Sequence, residues 1–342
     1  MNSQSVNEMS FDDVFNLNTL YASYKKSCKG VNWKTSTKNY SIRALQNVAE
    51  TLVHLQRGTY KSKPFHKFPL CERGKARQIQ ALHISDRIVQ KCFCDYYLVP
   101  LLTKRLIYDN GACMKGKGLS FTAKRLKAHL QQYYRKNKSN KGYVLTFDFS
   151  KFFESIDHEL LLKKVRRVIK PPKDNRLYEI YSYFVGCFDG DKGIGLGSQI
   201  SQVSALFFTN ELDHYIKEKL NIKFYARYMD DGYIISNSKE KLIECRNEIL
   251  RIAEELKLKV NIKKTKLWKI EKGFMFLNRH WLLTGKGYVK CKPSHSTLLR
   301  LRKRYRKLKA LNKPDALARY KGSTCGFLRF FNNRRLEDYV YN

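Results

Sequence analysis

The chain has 342 residues, 43% of them hydrophobic, enough for a full core in two or three lobes and too many for a disordered tail. Its 67 Lys and Arg against 30 Asp and Glu leave a formal net charge of +37, far beyond what solubility requires, so something anionic must bind, and nucleic acid is the leading partner. A membrane is a poor rival: no run of about 18 apolar residues exists and MNSQSVNEMS lacks a basic-then-apolar signal, which with nine cysteines and no CxxC pair predicts a soluble, cytoplasmic protein with reduced core thiols and no zinc.

Taken in chain order, the first 60 residues alternate at helical spacing, as in SIRALQNVAETLVHLQRG at 41–58. PFHKFPLCERGKARQIQAL predicts two short strands about a Gly-containing turn, followed by a helix in DRIVQKCFCDYYLVPLLTKRL. A helix over 121–135 and a solvated basic loop, KNKSNKG, lead into a central strand, YVLTFDFSKFF, at 143–153. Helices follow at about 157–168 and 200–220, then a hairpin at 222–236 whose tip carries Asp230 and Asp231, and an amphipathic helix at 238–257. The last fifty residues carry basic helical patterns with aromatic content. The sum is α+β, a sheet of a few strands with helices on one side and basic helices at both ends. Pro and Gly are sparse, and no repeat or flexible linker separates the lobes.

Aspartate is a common turn former, and an arbitrary Asp-Asp pair is usually just that. Here FYARYMDDGYII has strand residues on both flanks, and a matching acid, Asp148, lies near the end of the apolar run YVLTFDFS. Two such strands side by side would bring the carboxylates together at one sheet edge, where they repel unless one is protonated or a divalent cation binds. Hard oxygen ligands suit Mg²⁺. Two such ions, about 3.5–4 Å apart, stabilise the attacking and leaving oxygens of an in-line phosphoryl displacement. The eight histidines have no metal spacing, and GDKGIGLG lacks the context of a dinucleotide fold.

Seven blocks in order resemble the reverse transcriptases: KARQIQALHISDRIVQ, NGACMKGKG, FDFSKFFESIDHELL, GIGLGSQISQVSALFFTNELDHYI, YARYMDDGYII, LKVNIKKTKL and FMFLNRHW. The resemblance implies a right-hand polymerase fold with an antiparallel palm sheet, divided into fingers at 1–140, palm at 141–280 and a basic helical thumb at 281–342. It implies an RNA-directed DNA polymerase that uses dNTPs and two Mg²⁺ ions, with Mn²⁺ as a substitute, on a template RNA and a cDNA primer-template duplex. Ser201-Gln202, where most relatives carry Ser-Pro, is similar to the error-prone enzymes of diversity-generating retroelements, which implies a small basic accessory protein as partner. Retron-type and defence-associated enzymes are the alternative, and a non-catalytic RNA chaperone a remote one. The fifty residues past about 290 are too few for a ribonuclease H or integrase domain.

Residue by residue, the resemblance assigns Asp148, Asp230 and Asp231 to catalysis and metal binding, with the carbonyl of Phe149 a further ligand. Arg77 and Lys75 match the fingers cations that hold the triphosphate, where a guanidinium fork is well suited. Phe153 matches the aromatic gate against a 2′-hydroxyl. Leu196, Gly197, Ser201 and Gln202 match the block beneath the nascent base pair, and Leu196 stands where accurate polymerases tend to carry Gln, which implies loose selection. Lys264 or Lys266 matches the lysine that protonates departing pyrophosphate. Met229, just before the paired aspartates, is assigned a nucleic-acid contact, and Phe276, Leu277 and Asn278 match the primer-gripping hairpin, with Asn for the usual Gly. Lys115 and Lys117 take the template contact of an Arg that is Met114 here. Arg300, Arg302, Lys303 and Arg306 match the thumb helix that lies along duplex phosphates, contacts that give affinity without sequence readout.

Overall fold

A computed structural model describes residues 6–72, 74–169, 175–331 and 333–342, leaving aside the side chains of residues 7, 72 and 75. Among the described residues ten strands are interspersed with helices: β1 (His66–Glu72), β2 (Lys75–Ala81), β3 (Tyr143–Ser150), β4 (Tyr225–Tyr228), β5 (Asp231–Ser236), β6 (Lys259–Val260), β7 (Lys266–Lys269), β8 (Phe274–Phe276), β9 (Arg279–Leu283) and β10 (Val289–Pro293). Every named pair among them is antiparallel. The chain divides into two compact units: Met1–Gly118 with Phe149–Asn221 and Asn247–Val260, and Leu119–Asp148 with Ile222–Arg246 and Asn261–Asn342.

In the first unit side-chain caps start the early helices. Ser10 and Asp13 form a reciprocal capping box, Asn16 caps Leu17–Cys28 with Thr19, and Ser198 caps Gln199–Phe208. These helices bury an aromatic core in which the rings of Phe15 and Phe93 stack at 6.1 Å and Phe93 also meets Tyr181 and Phe184. The β1–β2 hairpin stands largely exposed. β2 meets the Gly-rich segment through a parallel bridge between Ile79 and Leu196, and Gln80 donates its N–H to the Leu196 carbonyl at 3.1 Å. Gly197, at φ +126°, permits that approach: a Cβ there would lie 3.2 Å from the Gln80 carbonyl oxygen.

In the second unit β3, up to Asp148, lies between β5 and β7, and β4 extends the sheet beyond β5. The helix Leu119–Asn137 is amphipathic, and Leu126, Leu130 and Tyr133 from it pack into one apolar cluster with Val144, Tyr233, Phe274, Phe276, Trp281 and Leu283. Each such side chain contributes roughly 1.5–3 kcal/mol by leaving water. A second sheet, in the order β10-β9-β8, shares this core. Three helices, His295–Ala310, Pro314–Arg329 and Arg335–Tyr341, close the chain around Tyr305, Leu328 and Val340.

Two expectations change. The strand predicted to run to 153 ends at Ser150, because Lys151 is left-handed, at φ 47°, and starts a short helix, Phe152–Ser155. The thiols are not all core groups: Cys28, Cys92, Cys94 and Cys245 are buried, whereas Cys71 and Cys113 are exposed. Among the described residues no helix is long and apolar enough to cross a membrane.

Candidate active site

Register brings the acids together. Asp148 is the direct antiparallel partner of Asp231, and Tyr228 is the partner of Asp231 on the other side. Only Met229 and Asp230 are left to turn the chain between β4 and β5. Met229 takes a left-handed conformation, at φ 54°, and the fully buried Arg227 donates from Nη1 to its carbonyl at 2.7 Å. Gly232 follows because its ladder partner is Phe147: a Cβ at 232 would sit 2.2 Å from the ring.

One oxygen from each of Asp148, Asp230 and Asp231 lies within 4.8 Å of the others. Asp148 is buried and the other two are half-buried. Burial, followed by the charge of Asp148, raises the Asp230 pKa; burial, followed by the charges of Asp230 and Asp148, pushes Asp231 up to about 7. Lys264 donates from Nζ to Asp148 Oδ2 at 2.8 Å, while Asp148 Oδ1 is buried with no hydrogen-bond partner among the described residues. A buried carboxylate oxygen left unpaired is costly, and three hard oxygen donors around one point suit a divalent cation such as Mg²⁺. A cleft of about 260 Å³ opens here, lined by Asp148, Asp231, Lys264, Lys266, Phe276 and Asn278 among others.

The structure separates the two candidate lysines. Lys264 reaches the carboxylates, whereas the Lys266 ammonium lies over the Trp268 ring, 5.6 Å from its centroid. The hairpin Phe276–Arg279 turns through Leu277 and Asn278, both left-handed at φ 50° and 58°, a turn that suits the twist of its strands. The Phe276 ring packs edge-on against Tyr233 at 5.0 Å, and the Asn278 carbonyl accepts from the Ser294 N–H at 3.1 Å.

The remaining candidates of the second unit lie on the helix His295–Ala310. Arg300, Lys303 and Arg306 are exposed; Arg302 is half-buried, stacked over the Tyr339 ring at 4.8 Å. In the first unit Phe149 is buried against Phe152, and Phe153 is half-buried with its carbonyl accepting from Ile194 N–H at 2.9 Å. Arg77 is exposed on β2, and the Lys75 side chain lies outside the described residues. Gln202 is exposed. Ser201 is buried, its N–H and hydroxyl bonded to Ser198 at 3.0 and 2.8 Å, so its side chain serves the helix cap. Lys115 is exposed, but Lys117 donates to the carbonyls of Tyr108 and Asn110 at 2.7 and 3.0 Å and so holds its own loop.

Sequence reasoning missed Arg227, Gly232 and Asn261, whose N–H donates to the Asp148 carbonyl at 2.7 Å. Arg227 did carry a signal: a cation in the run FYARYM cannot be buried without a partner.

Residues 61–281 match the family model described as reverse transcriptase (RNA-dependent DNA polymerase). Protein YkfC of Escherichia coli (strain K12) is 25% identical over 247 residues, which cover 60% of this chain and 62% of that protein. Among solved structures, apo telomerase from Candida tropicalis truncated from its C-terminal domain aligns with a TM-score of 0.52 at 14% identity, over 73% of this chain and 60% of that one. Telomerase from Candida albicans, in complex with a fragment of telomeric RNA, aligns with a TM-score of 0.52 at 11% identity, over 73% and 51%. The chain thus spans less than two thirds of the length of these relatives, and the structural likeness carries the fold, that of the right-hand polymerases. With a family match over most of its length and the three aspartates gathered at the end of an antiparallel sheet, the chain belongs to the reverse transcriptase family.

Proposed function

We propose that this chain is an RNA-directed DNA polymerase that copies a structured template RNA into cDNA by two-metal nucleotidyl transfer, as the error-prone enzyme of a diversity-generating retroelement. The observation that carries the polymerase reading is the cluster of Asp148, Asp230 and Asp231 with a buried, unpartnered oxygen on Asp148. Ser201-Gln202 in place of Ser-Pro, and Leu196 five residues before it, support the error-prone subtype.

In this reading the three carboxylates hold the ions, with the Phe149 carbonyl as a further ligand. Bound Mg²⁺, or Mn²⁺ in its place, supplies charge neutralisation at the attacking and leaving oxygens. The chain's own groups do the rest. Arg77 and Lys75 hold the dNTP triphosphate, the Phe153 ring excludes a 2′-hydroxyl, and the hairpin at Phe276–Asn278 orients the primer end. The exposed cations of His295–Ala310 bind duplex phosphates without reading sequence. Fingers at 1–140, palm at 141–280 and thumb at 281–342 divide this work, in the cytoplasm, with a small basic accessory protein.

The test is dNTP incorporation on a primed RNA template with Mg²⁺, comparing wild type with Asp230→Ala and sequencing the product. Templated cDNA that disappears in the variant is expected, with errors concentrated at one template base. Absence of incorporation by the wild type, with its native RNA and partners supplied, would overturn the polymerase; uniformly accurate cDNA would overturn the subtype alone.

A further inference from the structure

Lys264 does more than line the cleft. Its ammonium rests on Asp148 Oδ2 at 2.8 Å, and the carboxylate it neutralises is the most buried of the three. The segment that carries it is built onto that same residue. Asn261 donates its N–H to the Asp148 carbonyl at 2.7 Å, its own carbonyl accepts from the N–H groups of Lys264 and Thr265 at 3.1 and 2.9 Å, and its Oδ1 takes a second, longer bond from Lys264 N–H at 3.3 Å. The backbone of Lys264 is thereby fixed to Asp148 while its side chain, 53% exposed, can swing into water. Lys266, two residues on, is engaged with Trp268 instead.

A cation bound by the carboxylates and an ammonium on the same carboxylate repel one another. A lysine ammonium is a compact, strongly hydrated point charge on a flexible stem, so it gives up a half-exposed contact more readily than a guanidinium fork would. We propose that Lys264 is the resident counter-cation of the carboxylate cluster: it occupies Asp148 when no divalent cation is bound, leaves when one binds, and so sets how tightly the site takes its metal. This rests on the reading of the three aspartates as metal ligands, and it concerns binding rather than chemistry.

The experiment uses the full chain without nucleic acid or dNTP and follows Mn²⁺ binding through the electron paramagnetic resonance signal of the free ion, with Mg²⁺ as competitor. Lys264→Met should bind Mn²⁺ about tenfold more tightly or better, since one neighbouring opposite charge shifts carboxylate affinity by at least about that factor. Lys264→Gln should do the same, whereas Lys264→Arg, which keeps the charge and gives up the contact less readily, should bind Mn²⁺ no more tightly than wild type. Melting temperatures taken in chelator should fall for Lys264→Met and recover with Mn²⁺. Unchanged or weaker Mn²⁺ binding in both neutral variants, while Asp148→Asn abolishes binding, would overturn the counter-cation and leave the metal site standing. Binding unaffected by Asp148→Asn would overturn both.

Discussion

Asp148 and Asp231 face each other across the β3–β5 ladder, so two acids of like charge are held in register by the backbone and not by any attraction of their own. The pair therefore costs the metal-free protein stability in a pH-dependent way. In the unfolded chain a carboxylate titrates at about 3.9. Asp231 is pushed up to about 7 in the folded state, by burial and then by Asp230 and Asp148. Between those values the folded state holds a proton that the unfolded state has lost, so stability falls as pH rises from about 4 to about 7 and the full penalty persists above it. Asp231→Asn should be more stable than wild type at pH 8 in chelator, by on the order of 2 kcal/mol after discount for partial exposure, and the gain should vanish toward pH 4. Denaturant melts at both pH values decide it, and a variant no more stable than wild type at pH 8 rules the account out.

Arg227 is predicted to position the catalytic turn. Its Nη1 bond to the Met229 carbonyl holds a left-handed residue immediately before Asp230, and a bond from a charged donor is worth about 1.5–3 kcal/mol. Arg227→Met should lower dNTP incorporation on a primed template by about tenfold or more, through kcat rather than the KM for dNTP, and should weaken Mn²⁺ binding. Arg227→Lys should recover part of both. A variant that loses only thermal stability, with kcat and metal affinity intact, would make Arg227 a core residue and nothing more.

Gly232 and Phe147 are expected to be coupled. The ring of Phe147 occupies the space a side chain at 232 would need, at 2.2 Å from an added Cβ, so Gly232→Ala overpacks the sheet and should cost roughly 1–3 kcal/mol. Phe147→Leu frees part of that space. The double variant should therefore be more stable than the sum of the two single effects predicts, by at least about 0.5 kcal/mol. Additive stabilities in urea melts would mean that the ring moves aside at no cost.

The carboxylates were legible in the sequence because acids within apolar strand runs are conspicuous: burying them costs so much that chance rarely places two at matching strand ends. β1 to β5 and most helices were legible from apolar periodicity, the β8–β9 hairpin was named only through the family resemblance, and β6 and β7, of two and four residues, were not read as strands. β10 was not read, although Val289, Cys291 and Pro293 alternate with Lys290 and Lys292, because five residues ending in proline give a weak signal. Arg227, Asn261 and the buried Ser201 depend on which carbonyl or hydroxyl lies opposite, and that is set by register and turn geometry, which composition does not encode. The difference between Lys264 and Lys266 is of the same kind: Lys264 lies in the turn that faces Asp148, whereas Lys266, on β7, lies over the ring of Trp268 two residues on along its own strand.

The basic segment RLRKRYRKLK shows how a run of like residues divides once folded, and the division is testable. Arg300, Lys303 and Arg306 are exposed on the helix His295–Ala310, whereas Arg302 lies over Tyr339 with its Nε buried and without a partner among the described residues. If the exposed three bind duplex phosphates, the triple change to Gln should weaken binding to primer-template and reduce the slope of log K against log salt by roughly 0.7–0.9 for each phosphate no longer neutralised. Arg302→Gln should leave that slope unchanged. It removes a cation from an aromatic face, worth about 0.5–1 kcal/mol, and should show instead as a lower melting temperature. Fluorescence anisotropy across a salt series separates the two, and equal slopes for the triple variant and wild type would remove this helix from the nucleic-acid interface.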